Sequence, residues 1–165
     1  MNYIKVAVDH GDGIPINASK ITDNLYLGGA IYDRDMLEKF LRQENITAVV
    51  TVWNDPPIFA GKNDIIDAID NYLYINIDDN ERADIQSHFS KSFDFLLNKI
   101  DLEKRRVYVH CHAGVSRSAT IVIHYLTKRT GYNLDEIYNY VASKRSVINP
   151  NPSFKRQLMS EFLRS

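Results

Sequence analysis

The 165-residue sequence predicts an α/β domain: a central, mostly parallel sheet of about five strands, flanked by helices. Short β-branched or aromatic runs ("ITAVVTVW", "YLYINI", "RRVYVH") alternate with longer segments whose apolar residues recur at helical spacing. The runs are nearly continuous in apolar character, as strands covered on both faces require. The length suits one domain able to bury its own core.

Each element follows in turn. "MNYIKVAVDHGDG" opens loosely and turns at its Gly-Asp-Gly end, and "KITDNLYLGG" reads as one strand closed by Gly28-Gly29. "DRDMLEKFLRQE" predicts a helix burying Met36, Leu37, Phe40 and Leu41. The strand "ITAVVTVW" leads into the loop "NDPPIFAGKN", with "DIIDAID" as a short helix and "YLYINI" as a strand running to Asp78 and Asp79. "DIQSHFSKSFDFLLNKI" carries Phe89, Phe93, Leu96, Leu97 and Ile100 on one helical face, and "RRVYVH" returns as a buried strand. Two helices, "SRSATIVIHYLTKRT" and "NLDEIYNYVASKR", are separated by Gly131, and "SFKRQLMSEFLRS" forms a last helix after the Pro150–Pro152 break. Ligands of such sheets bind beyond the carboxyl ends of the strands.

Composition narrows the function classes. With 44% hydrophobic and 25% charged residues, the chain reads as ordinary soluble globular protein. A net charge of −1 lacks the broad positive footprint of a nucleic-acid binder. No apolar run reaches the length of a membrane span, and the first residues lack a signal peptide's basic and apolar regions. A single cysteine forms no internal disulfide, as a reducing compartment would have it. The expectation is a cytoplasmic protein with no nucleic-acid or membrane partner.

That cysteine lies in "VYVHCHAGVSRSAT". A strand is expected to stop at His110, a small-residue turn to follow, and a helix to begin near Arg117. Backbone N–H groups at a helix start lack intrahelical partners, and the helix dipole adds partial positive charge, so the turn is an anion site. Gly114 permits a backbone conformation that a Cβ would obstruct, and Arg117 adds a planar fork for two phosphate oxygens. The same cradle favours a thiolate at Cys111. Strand alternation sends His110 and His112 away from Cys111, and their spacing is unlike that of zinc sites, so no metal is expected.

"HCHAGVSRS" resembles the His-Cys-x5-Arg-Ser/Thr signature of cysteine-dependent protein phosphatases. Its Gly114, Ser116 and Ser118 are similar to the dual-specificity branch, and "NPSFKRQ" resembles compact, single-domain, virus-encoded members of the atypical type. The resemblance implies Cys111 as nucleophile, His112, Ala113, Gly114, Val115, Ser116 and Arg117 as the phosphate-binding loop, and Ser118 as a hydrogen-bond donor to the departing sulfur. It makes His110 a residue that positions the cysteine, and the His112 side chain incidental. In "INIDDNERADIQSHF", Asp79 stands five residues before Asp84-Ile85 and ten before Phe89, as the family's general acid does, with Asp78 as runner-up. Asn151 in "RSVINPNPSF" corresponds to a residue bracing the loop, and Arg145 is expected to be structural.

The implied activity is hydrolysis of phosphotyrosine and phosphoserine or phosphothreonine monoesters through a phosphocysteine intermediate. Phosphorylated proteins would be the partners, no cofactor would be needed, and the setting would be cytoplasmic, in a host cell if a virus encodes the chain. A phosphoinositide or RNA 5′-phosphatase with the same chemistry is the alternative, followed by a catalytically dead phosphoprotein-binding module. Residues 21–165 are expected to form the catalytic domain, with residues 1–20 of uncertain role, and a homodimer remains open.

Overall fold

A computed structural model describes residues 2–55 and 71–163. Its centre is a five-stranded sheet in the order β3 (Ala18–Thr22), β4 (Leu25–Gly28), β7 (Arg106–His110), β5 (Ile46–Val52), β6 (Tyr72–Ile75). The pairs β4–β7, β7–β5 and β5–β6 are parallel, and only β3–β4 is antiparallel. The expected mixed, mostly parallel sheet is therefore the observed one.

Period-two alternation gives each face its own core. On β7, Val107 and Val109 join Leu25, Leu27, Val50 and Val52. They pack under α2 (Phe89–Leu96), α3 (Arg117–Thr130), α4 (Leu134–Lys144) and α5 (Pro152–Leu163). Tyr108 faces the other way and joins Tyr26, Val49 and the Leu37–Phe40–Leu41 stripe of α1 (Arg34–Gln43). Phe40 meets the Tyr26 and Tyr108 rings edge-on at 6.0 and 5.1 Å. Met36 is only partly buried, at the rim of this cluster.

Some expectations need correction. "KITDNLYLGG" is a hairpin, β3 and β4, turning at Asp23-Asn24. Asn24 supplies the reason: its side chain donates to the Arg105 carbonyl at 2.9 Å and its own carbonyl accepts from Val107 N–H. Asparagine thus stabilises a turn that an otherwise strand-like sequence conceals. The helix expected across residues 84–100 comes in three parts: a 3₁₀ turn over Gln86–His88, whose Ser87 N–H donates to Asp84 Oδ1, then α2, then a wider π turn over Leu97–Leu102. The strand "YLYINI" leaves the sheet after Ile75. "DIIDAID" lies outside the described residues.

The N-terminal segment is packed against the domain. Strands β1 (Lys5–Val6) and β2 (Ile14–Pro15) pair antiparallel around the Asp-His-Gly-Asp-Gly turn, and Val6 is buried against α1. Gln43 of α1 brackets β1, accepting from Ala7 N–H and donating to the Lys5 carbonyl. Among the described residues, no helix is long and apolar enough to cross a membrane.

Candidate active site

Strand β7 is central, so its last residue, His110, is fully buried. The chain then turns through residues 111–116 at the carboxyl edge of the sheet, and α3 begins at Arg117. Cys111 is 2% exposed, and its sulfur lies 3.2 Å from the Gly114 amide that donates to it and 3.1 Å from Ser118 Oγ. Gly114 takes φ +71°, and an added Cβ would stand 2.6 Å from Arg145 Nη2 and 2.7 Å from the Gly28 carbonyl oxygen. Glycine alone satisfies both the dihedral and the close approach.

Ser116 is the N-cap of α3, yet its side chain makes no capping bond. Its Oγ instead donates to Asp79 Oδ1 at 2.8 Å and accepts from Asn151 N–H at 2.9 Å. The first helical bond is Thr120 N–H to the Ser116 carbonyl, so the amides before it have no helical acceptor. Positive partial charge therefore gathers around the sulfur. Arg117, 9% exposed, is held through Nη1 by Asn54 Oδ1 at 3.1 Å and the Ile77 carbonyl at 3.0 Å. Those two contacts fix the fork beside the loop.

His110 bonds through Nδ1 to the Cys111 carbonyl at 3.1 Å and through Nε2 to Thr51 Oγ1 at 2.7 Å, and Tyr72 O–H donates to Thr51. A carbonyl only accepts, so the proton sits on Nδ1 and Thr51 donates to Nε2. Burial pushes the His110 pKa down to about 4, with the Cys111 carbonyl partly opposing. The ring is a neutral brace on the cysteine backbone.

Asp79 and Asn151 reach the site from separate loops. Asn151 Nδ2 donates to Asp79 Oδ1 at 2.8 Å, while Asn151 Oδ1 accepts from Phe154 N–H and caps α5. Both bonds to Asp79 fall on Oδ1, which leaves Oδ2 for a proton. Asp78 is exposed and shares none of these contacts. The nucleophile, loop, arginine, serine and carboxylate singled out in the sequence thus come together in one place.

Asn17 was not singled out. Its Nδ2 donates to the Ala113 carbonyl at 3.0 Å, and its Oδ1 accepts from Arg145 Nη2. Arg145, fully buried, also donates to the Gly114 carbonyl at 2.9 Å, the Ala113 carbonyl at 3.3 Å and Ser19 Oγ at 3.1 Å. Drawing these carbonyls outward turns the intervening amides inward. Asn54 was likewise missed. Nothing local marks either residue, since each acts on a partner at least 63 positions away.

A buried thiol at an uncapped helix start, beside a pinned guanidinium and a carboxylate on a neighbouring loop, defines a cysteine-phosphatase site. The chain belongs to the dual specificity phosphatase catalytic domain family, whose model matches residues 25–162. It is 41% identical to human dual specificity protein phosphatase 1 over 138 residues, covering 82% of this chain and 34% of that one. The chain therefore spans about a third of that relative's length. The 123R protein of Invertebrate iridescent virus 6, named as a tyrosine phosphatase, is 35% identical over 85% of this chain and 88% of its own. Among solved structures, Cydia pomonella PTP-2 phosphatase superposes with a TM-score of 0.80 at 28% identity, covering 87% of this chain and 89% of that one.

Proposed function

We propose that this chain is a protein phosphatase that hydrolyses phosphotyrosine and phosphoserine or phosphothreonine monoesters through a phosphocysteine intermediate. The observation that carries it is the Cys111 sulfur, placed 3.2 Å from the Gly114 amide and 3.1 Å from Ser118 Oγ at the start of α3. The amides of residues 112–116 and the Arg117 fork hold the phosphoryl oxygens. The Cys111 thiolate attacks phosphorus, the ester P–O bond breaks, and Asp79 gives the departing oxygen its proton from Oδ2. Asp79 then takes a proton from water as the water oxygen bonds to phosphorus. The S–P bond breaks with its electron pair returning to sulfur, and Ser118 donates a hydrogen bond to it.

His110 and Asn151 position these groups, and all of them come from one chain. Asn17 extends the working unit into residues 1–20, so we place the boundary of the catalytic domain before residue 21. Phosphorylated proteins in the cytoplasm are the proposed substrates, consistent with the lone thiol and with the family.

The test is turnover of para-nitrophenyl phosphate and of matched phosphopeptides by the purified chain. Cys111→Ser should abolish both and should trap phosphoprotein. Retained turnover in that variant would remove Cys111 from the mechanism.

A further inference from the structure

One rim of the phosphate loop is lined with rings that the proposed chemistry does not use. Trp53 follows β5 and stacks on the His112 imidazole, with centroids 5.6 Å apart and planes at 28°. Tyr32, in the segment after β4, meets Trp53 edge-on at 6.4 Å. Trp53 is 5% exposed, whereas Tyr32 is 70% exposed and His112 is exposed as well. A buried indole therefore supports two rings that face solvent.

Their location is fixed by the backbone. His112 follows Cys111 directly, and its carbonyl accepts from Ala30 N–H at 2.9 Å, which ties the Tyr32 segment to the loop. Asn54, next to Trp53, holds Arg117. Asp79 approaches the opposite end of the loop, at Ser116 and Asn151. An ester seated in the cradle points its bridging oxygen out of the loop, so its side chain leaves through a mouth bordered by Asp79 on one side and the rings on the other. An aryl group offers them a flat face. The short branched chain of threonine offers none.

We infer that Tyr32, Trp53 and His112 form a stacking shelf for the phosphotyrosine ring, which makes this domain discriminate for phosphotyrosine over phosphothreonine. The inference rests on the phosphatase reading above and names the determinant of substrate choice within it. Aromatic pairing of this kind is worth about two- to twelvefold in affinity.

Trp53 is the only tryptophan in the chain, so its emission reports occupancy of the shelf. Phosphotyrosyl and phosphothreonyl peptides of one sequence are titrated onto Cys111→Ser protein, alone and combined with Tyr32→Ala or Tyr32→Phe. The phosphotyrosyl peptide should bind roughly two- to twelvefold tighter and shift Trp53 emission. Tyr32→Ala should bring the ratio toward one, and Tyr32→Phe should keep it. Equal affinities, or a ratio that Tyr32→Ala leaves intact, would overturn the shelf while the phosphatase reading stands. If neither peptide nor inorganic phosphate binds and the unsubstituted chain turns over no aryl phosphate, the phosphatase reading itself falls, and the shelf with it.

Discussion

Replacing Asn17 by alanine tests whether the N-terminal segment sets the phosphate loop. The change removes the bond to the Ala113 carbonyl at 3.0 Å and the acceptor for Arg145 Nη2. Arg145 keeps its bonds to the Gly114 carbonyl, the Ala113 carbonyl and Ser19, and Asn17 is itself exposed, so water replaces part of what is lost. The stability cost is then about 1–2 kcal/mol. In a chain of this length that lowers Tm by roughly 2–8 °C. Turnover should suffer more. The Ala113 carbonyl, no longer held on two sides, lets the adjoining amides drift from the phosphate. Losing one well-placed oxyanion donor costs about a hundredfold or more in kcat, so partial misorientation should cost about tenfold. The assay is kcat and KM on an aryl phosphate, with vanadate inhibition as a direct probe of the cradle. Asn17→Asp separates the two roles: it retains an acceptor for Arg145 but turns an oxygen toward the Ala113 carbonyl. It should fold as well as the unsubstituted chain and still lose vanadate affinity. If vanadate affinity and kcat/KM of Asn17→Ala stay within about twofold of the starting values, the bracing account is wrong.

Asp79→Asn should slow alkyl and peptide phosphates by about 10²–10⁴-fold but aryl esters with acidic leaving groups far less, and equal losses would move the acid elsewhere. Ser118→Ala should slow sulfur departure, so phosphoenzyme accumulates under rapid quench, and absence of that intermediate would count against the role. Stability should fall in mild acid. Burial lowers both His110 and His124 to about 4, so from pH 6.5 down to 4 the unfolded chain gains protons that the folded chain refuses. Each contributes a loss of up to about 3 kcal/mol, complete near pH 4. His124 is sandwiched against Phe89 at 4.1 Å, and its Nδ1 has no partner among the described residues, so His124→Phe should flatten the Tm–pH profile. An unchanged slope in that variant would refute the assignment.

The phosphate loop was legible because its parts are contiguous: thiol, glycine, arginine and serine act within nine residues of one strand–turn–helix. The offsets of Asp79 to Asp84-Ile85 and Phe89 mark it as the candidate acid, and the β-branched runs mark the sheet. What escaped acts through the main chain across long separations. Asn17 grips the Ala113 carbonyl, and any residue type supplies a carbonyl, so no pattern near the loop announces that partner. Arg145 reads as structural, but its targets, the Ala113 and Gly114 carbonyls, are equally unmarked. The turn at Asp23-Asn24 was hidden for a related reason. Ile21 and Leu25 continue the apolar rhythm on either side, and the bond from Asn24 to Arg105 exists only once the sheet has formed.

Asp79 is held by both Ser116 and Asn151. One carboxylate oxygen thus ties three segments far apart in the chain: the loop after β6, the start of α3 and the turn before α5. Losing either hydrogen bond would free that loop from the start of α3 or from the residue that caps α5.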